Sequence, residues 1–160
     1  MSRRTFTSIE FPSTLTEIGY SSFAWCTTLK TVIIPEGVTT IGECAFQGCT
    51  QLTDFTIPST VTSIGNSAFV SCRGLTSIEI PAGVESIGAN TFYYCSGLTS
   101  ITLHEGLKSI GEYAFRGCTN LDMIEYEGTR REWIAIKKGY NWHVESAIRY
   151  VRCSDGETTP

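Results

Sequence analysis

The sequence feature that most constrains the fold is an internal repeat of 23 residues. Residues 75–97 read LTSIEIPAGVESIGANTFYYCSG, and residues 52–74 read LTDFTIPSTVTSIGNSAFVSCRG, so apolar side chains recur at fixed positions. One unit of this length cannot bury its own apolar side chains, whereas stacked copies bury them against each other. The repeat therefore predicts a solenoid. Its full units are 6–28, 29–51, 52–74, 75–97 and 98–120, and a partial unit follows at 121–126.

Each unit contains two short segments with the composition of β-strands. The first, L-x-x-I-x-I-P, alternates β-branched and other residues and is stopped by proline. The second, V-T-S-I-G, is ended by glycine, and the stretch from that glycine to the cysteine has room for no more than a helical turn. Equivalent strands of stacked units lie parallel and about 4.8 Å apart. We therefore predict a mainly-β solenoid with thin coils and short parallel strands.

The repeat resembles that of the BspA-like leucine-rich repeat family. The family pattern, about L-x-x-I-x-I-P-x-x-V-x-x-I-G-x-x-A-F-x-x-C-x-x, is matched at almost every fixed position by residues 29–97. The resemblance covers residues 6 to about 126 and implies a right-handed leucine-rich-repeat coil. Members of this family are typically bacterial surface proteins or proteins of parasitic protists. The resemblance thus implies adhesion and protein binding rather than catalysis.

The remaining chain resembles the C-terminal closing segment of such proteins from gut Firmicutes. There a Y-x-G-T-x-x-E-W stretch precedes a final strand ending in C-x-D-G, and both motifs occur here after residue 125. We interpret residues 1–126 as the solenoid, 127–156 as a small α/β cap and 157–160 as a tail. A short helix from about Arg130 to Lys137 is expected to cover the apolar end of the stack. The side chains expected to provide this cover are Trp133, Ile134, Ile136 and Trp142.

The N-terminal end of the array has no equivalent cover in the sequence. Only the five residues MSRRT precede the first unit, although the end of a solenoid exposes apolar core. We expect this weakly capped end either to self-associate with another chain or to belong to a longer array.

Five of the seven cysteines fall at one repeat position, the last apolar position of each unit. They point the same way in successive coils, which suits neither a tetrahedral metal site nor disulfide geometry, and no C-x-x-C occurs. We therefore predict a column of buried thiols that donate S–H to backbone carbonyls, and call it the thiol column. Cys44 and Cys153 lie outside it, and Cys44 is expected to be exposed. The thiol column consists of Cys26, Cys49, Cys72, Cys95 and Cys118.

Composition and motifs exclude several classes of function. The net charge of −4 argues against nucleic-acid binding. The sequence contains no run of 18 apolar residues, so no membrane-spanning segment is predicted. No apolar segment follows the two arginines at the start, so no signal peptide is recognised. His104 and His143 have no partner at ligand spacing, and no nucleophile, phosphate-loop or zinc motif occurs. We predict no catalytic residue, no metal and no cofactor.

The variable outward positions of the first strand are the main candidates for binding a partner. They stack into a face rich in Ser and Thr. These two residue types make up 38 of 160 residues and provide much of the polar surface of a chain in which only 18% of residues are charged. A plain solvated sheet that uses Thr for its β-propensity is the alternative. Aromatic residues of the glycine-to-cysteine loops are a second candidate surface, unless they only pack on each other. The candidates are Thr31, Asp54, Thr56, Ser77, Glu79, Ser100 and Thr102 on the strands, and Trp25, Tyr93 and Tyr94 in the loops.

The sequence as a whole favours a non-catalytic recognition module. We expect it to bind a protein or glycan and to belong to a bacterial surface or secreted protein, provided that it is part of a longer precursor. The alternative is an intracellular structural or scaffold repeat protein, which the absence of a signal peptide and the reduced thiol column favour.

Overall fold

A computed structural model describes residues 6–160 as a stack of coils, with strands numbered β1 to β14 along the chain. The first row of strands consists of β1 (Ser8–Glu10), β3 (Thr31–Ile33), β5 (Asp54–Thr56), β7 (Ser77–Ile80), β9 (Ser100–Leu103), β11 (Met123–Tyr126) and β13 (Tyr150–Cys153). The second row consists of β2 (Glu17–Ile18), β4 (Thr40–Ile41), β6 (Ser63–Ile64), β8 (Ser86–Ile87), β10 (Ser109–Ile110) and β12 (Lys137–Lys138). A helix, α1 (Arg130–Ala135), and a last strand, β14 (Gly156–Thr158), complete the chain.

Strand pairing follows the period of the sequence. Ser8 lies opposite Thr31, and Thr31 lies opposite Asp54, so neighbouring strands are parallel and one repeat apart. The first row forms the sheets β1-β3-β5 and β7-β9-β11-β13-β14, and the second row forms β2-β4-β6 and β8-β10-β12. The predicted mainly-β solenoid of short parallel strands is confirmed.

The core is a set of columns of identical side chains. The leading leucines of the second to sixth coils are fully buried. The phenylalanines stack face to face from coil to coil, with ring centroids 5.4, 5.7, 5.5 and 5.4 Å apart. Each ring after the first is therefore held by the coils on both of its sides, as the stacking argument requires. The phenylalanine ladder consists of Phe23, Phe46, Phe69, Phe92 and Phe115.

The thiol column is buried, and none of the seven cysteines, all of which lie within residues 6–160, forms a disulfide. In four coils the thiol donates to the carbonyl oxygen of the preceding coil's ladder phenylalanine, at 3.0–3.2 Å. Burial raises the pKa of Cys49 and of Cys118 to about 12, and that of Cys72 and Cys95 well above the usual value. The predicted column of buried, hydrogen-bonded thiols is confirmed.

Cys44 is half-buried rather than exposed, so the expectation for this residue is wrong. Its thiol lies between the hydroxyls of Ser21 and Ser67, which occupy the same repeat position in the neighbouring coils. Partial burial raises the pKa of this thiol.

The segment expected to cap the stack also continues it. Helix α1 is inserted between the two strands of the sixth coil, and β12 then pairs with β10 while β13 pairs with β11. The N–H of Phe115 donates to the carbonyl of Trp142 at 2.7 Å, so Trp142 takes the position that Ala114 has in the preceding coil, and its ring meets Phe115 edge to face at 6.0 Å. Hydrogen bonding therefore extends past residue 126 without a break, and β14 folds back antiparallel on β13.

Helix α1 is shorter than predicted and presents a different face to the core. It begins at a capping box formed by Thr129 and Glu132, and it ends at Ala135 because Ile136 is extended and leads into β12. Trp133, Ile136 and Trp142 are buried as expected. Ile134 is 70% exposed, so its expected role in covering the core is wrong.

Candidate functional site

The predicted strand-face residues lie together on one side of the stack. The parallel register arranges the outward side chains of β3, β5, β7 and β9 in two columns that cross four coils. Inward neighbours on the same strands, such as Val32 and Ile78, are buried and hold the backbone in place. The outward columns are Thr31, Asp54, Ser77 and Ser100, and Ile33, Thr56, Glu79 and Thr102.

This face carries two adjoining depressions, which together we call the strand groove. One, of about 550 Å³, lies over β3 and β5, and the other, of about 350 Å³, lies over β5, β7 and β9. They share Phe55, Thr56 and Ser77, so they form one shallow groove along the stack. All seven predicted strand-face residues line it. The structure thus brings together the whole set of strand candidates.

Two groove residues were not singled out from the sequence. Ile33 is 67% exposed at an outward position where the other coils carry polar residues, and Glu36 follows the same strand. An isoleucine at an outward position that is polar in the other coils was the available signal. Ile33 gives the groove an apolar contact point.

The groove has an acidic character. Asp54, Glu36 and Glu79 line it, and no Lys or Arg occupies an outward first-strand position in the first five coils. Asp54 accepts a hydrogen bond from the Thr31 hydroxyl at 3.3 Å. Cations return only in β13, where Arg152 donates to Glu125 at 2.8 Å. The acids of the groove therefore favour a partner that brings positive charge.

Glu79 is already engaged by the protein. The Nε2 atom of His104 lies 3.2 Å from a Glu79 carboxylate oxygen, and its Nδ1 atom contacts Glu127. Both partners are acceptors, so both ring nitrogens donate only when the imidazole is protonated. The bridge joins three successive coils at the margin of the groove. No cluster of three or more His, Cys, Asp or Glu among residues 6–160 is arranged to hold a metal ion.

The aromatic candidates lie outside the strand groove. Trp25 and Tyr94 share one repeat position and a left-handed backbone, with φ of 62° and 54°. Each ring lies against the glycine of the following coil, Gly48 or Gly117, where a Cβ atom would overlap the ring. Trp25 is nevertheless 64% exposed and Tyr94 38% exposed. Their first role is therefore packing on the next coil, with the remaining ring surface open to solvent.

Tyr93 is half-buried in a surface cluster, where its ring meets the Tyr94 ring edge to face at 4.5 Å. The guanidinium of Arg116 lies 5.7 Å from the centre of its ring and 5.5 Å from that of Tyr113. Arg116 also donates twice to Glu145, at 3.0 and 3.1 Å, and these bonds lower the pKa of that carboxyl. Because the members of this cluster satisfy each other, the strand groove is the stronger candidate site.

No helix of residues 6–160 has the length and apolar character needed to cross a membrane.

The fold and the period of the coils define the class of protein as a leucine-rich repeat solenoid. The chain belongs to the family of BspA type leucine rich repeat regions, whose model matches residues 1–122 with six copies. The resemblance read from the repeat is thereby confirmed. A search of the curated proteins found no match.

Solved structures of bacterial leucine-rich repeat proteins have the same fold. A leucine rich cell surface protein from Faecalibacterium prausnitzii is 35% identical with a TM-score of 0.80, and the match covers 93% of this chain and 39% of that one. A leucine-rich repeat protein from Eubacterium ventriosum is 23% identical with a TM-score of 0.76, covering 97% and 48%. One from T. pallidum is 23% identical with a TM-score of 0.65, covering 86% and 78%. The chain thus spans about two fifths of the F. prausnitzii protein.

Proposed function

We propose that this chain is the non-catalytic recognition module of a bacterial surface or secreted leucine-rich repeat protein, and that it binds its partner through the strand groove. The observation that carries the proposal is the convergence of all seven strand candidates and Ile33 on one continuous groove. The description of the F. prausnitzii relative as a cell surface protein supports the location.

The construction of the groove suits recognition by a rigid surface. The strands beneath it are held by buried columns on one side and by parallel pairing, of β3 with β5 and of β7 with β9. Little backbone freedom is therefore lost on binding, so contacts made by the outward side chains translate more fully into affinity. Changing an outward residue leaves the core untouched, which lets the same scaffold present different surfaces.

A protein partner fits the groove better than a neutral glycan does. Ile33 offers an aliphatic contact, while Asp54 and Glu36 surround it with negative charge. A segment that combines an apolar side chain with Lys or Arg satisfies both features. A glycan without cationic groups satisfies neither of them.

The thiol column does not favour the intracellular alternative. Thiolate is the reactive form of cysteine, and burial raises the pKa values of these thiols far above physiological pH. Buried thiols of this kind stay reduced in an oxidising compartment as well as in a reducing one. The cysteines are therefore compatible with an exported protein.

The test is binding to defined partners with a charge variant in the groove. The chain, with its cysteines kept reduced, is immobilised and exposed to purified extracellular-matrix proteins and to mucin glycans. Thr56→Arg places a cation where the two depressions meet, and Ser63→Arg places the same cation on exposed β6 of the same coil as a matched control. We expect saturable, salt-sensitive protein binding that Thr56→Arg abolishes and Ser63→Arg preserves. Binding that survives Thr56→Arg but is lost in Tyr94→Ala would move the site to the loops and contradict the proposal.

A further inference from the structure

The two ends of the described stack are unequal. Five apolar side chains of the first coil are only partly buried, although they occupy core positions of the repeat. Their counterparts in the second coil are at most 7% exposed, among them Leu29 and Val38 at 0%. The difference arises from position in the stack, because the sequence pattern is the same. The five residues, with strand β1, make up the first-coil face: Phe6, Ile9, Phe11, Leu15 and Phe23.

The backbone shows the same inequality. β1 and β2 are the outer strands of their sheets, and no strand within residues 6–160 pairs with their outer edges. At the other end, β14 pairs antiparallel with β13, and the buried indoles of Trp133 and Trp142 close the core. An open edge beside half-exposed apolar side chains is a template for pairing with another chain.

We propose that the first-coil face binds a second copy of this chain in a two-fold symmetric dimer. The same face of a second copy offers both things that this face lacks, a strand edge to pair with and apolar side chains to bury against. Head-to-tail stacking of copies is blocked, because β14 occupies the far end of the first-row sheet. A two-fold contact uses the same face on both copies and closes after two.

The sequence of β1 suits antiparallel pairing with itself. Centring the two-fold axis on Ile9 places Ser8 of one copy opposite Glu10 of the other, twice by symmetry. The hydroxyl can then donate to the carboxylate, and the two copies of Glu10 do not face each other. The pairing joins two three-stranded sheets, β1-β3-β5, into one sheet of six strands. The strand grooves of both copies then lie on the same side of the dimer.

Charge variants at Ser8 test both the dimer and its register. Ser8 is exposed, so neither Ser8→Glu nor Ser8→Lys disturbs the core, and thermal melts verify folding. Sedimentation equilibrium of the full chain over a range of concentrations measures the dimerisation constant. We expect Ser8→Glu, which opposes Glu10 twice, to weaken the dimer about tenfold, and Ser8→Lys to strengthen it by a similar factor. Added salt should shrink both effects.

Ser63→Glu and Ser63→Lys are the matched controls, because Ser63 is exposed on β6, the inner end of its sheet. A monomer at every concentration overturns the proposal, as does a dimer that responds equally to the Ser8 and Ser63 pairs. A variant with a further copy of residues 29–51 fused ahead of Phe6 tests the other possible occupant of the face, which is a preceding coil. If this extra coil stabilises a chain that stays monomeric without it, the face accepts a coil and the second-copy assignment is wrong. The outcome does not depend on the proposed function, because the Ser8 variants leave the groove residues unchanged.

Discussion

Replacing Phe69 by alanine should lower the free energy of unfolding by about 4 kcal/mol. The ring is fully buried, and it stacks on Phe46 and Phe92 with centroid distances of 5.7 and 5.5 Å. It also meets the edge of Phe55 at 5.1 Å. Removing it therefore opens a cavity between three coils, and the neighbouring rings cannot close it without leaving their own columns. The lost stability therefore comes from two coil–coil interfaces, one with the coil of Phe46 and one with the coil of Phe92.

Phe23→Ala is the matched control, since Phe23 is the same residue at the open end of the ladder. It is only partly buried and stacks on one neighbour, Phe46, at 5.4 Å, with an edge contact to Phe11 at 5.6 Å. We expect a loss of about 2 kcal/mol, or half that of Phe69→Ala. Urea unfolding followed by circular dichroism measures both, with the slope checked for two-state behaviour. Equal losses in the two variants would refute the argument that stability is built from nearest-neighbour coil contacts.

Three further results are expected. Gly48→Ala should destabilise the protein by about 2 kcal/mol, because its Cβ overlaps the Trp25 ring, whereas Gly106→Ala, also at positive φ but in open space, should cost about 1 kcal/mol in the same urea assay. The thiol column should resist a thiol reagent at about pH 8 and react fully in urea, as mass spectrometry can show; rapid native labelling would contradict the raised pKa values. Thr129→Ala should cost about 1 kcal/mol at neutral pH. Hydrogen bonds from Thr129 lower the pKa of Glu132, so their contribution is present above the usual Glu pKa and is lost as pH falls through the lowered value. A Thr129→Ala cost that does not diminish anywhere in the acid range in which the protein stays folded would contradict this linkage.

The sequence predicts the solenoid well because every structural position occurs five times. A single isoleucine or cysteine is ambiguous, but five at one spacing must share one environment, and the buried columns bear this out. The sixth coil lacks this redundancy. Nothing in Arg130 to Ile136 says which side of a single-turn helix meets the core, so Ile134 was assigned to the wrong side. Strand β12 could not be predicted either, because its two lysines have low β-propensity and adopt an extended conformation only through pairing with β10.

The sequence predicts that the strand candidates share one face, but it does not predict the chemistry of that face. Outward positions follow from the two-residue period of a strand, which is why all seven strand residues line one groove. The bridge of His104 to Glu79 and Glu127 joins residues 25 and 23 positions apart, and the stacking of coils alone brings them together. The role of Ile33 as an apolar contact point likewise cannot be inferred from the sequence alone, because it depends on Asp54 and Glu36 lining the same depression.

A groove on each copy of the proposed dimer predicts a gain in avidity for a partner with repeated binding segments. A shallow, open groove offers few desolvated contacts, so one copy should bind a soluble partner weakly. A dimer joined at β1 presents two grooves on one side, and a partner with repeated binding segments can engage both. The second attachment then occurs at a high effective concentration and gains affinity without any new type of contact. The gain should appear on a surface that displays the partner densely and should follow dimerisation, rising in Ser8→Lys and falling in Ser8→Glu. Affinity for a soluble, single-segment partner should be the same in both variants, because the Ser8 side chain does not line the groove. A parallel change in both affinities would mean that Ser8 acts on the groove itself, and the link between dimer and avidity would fail.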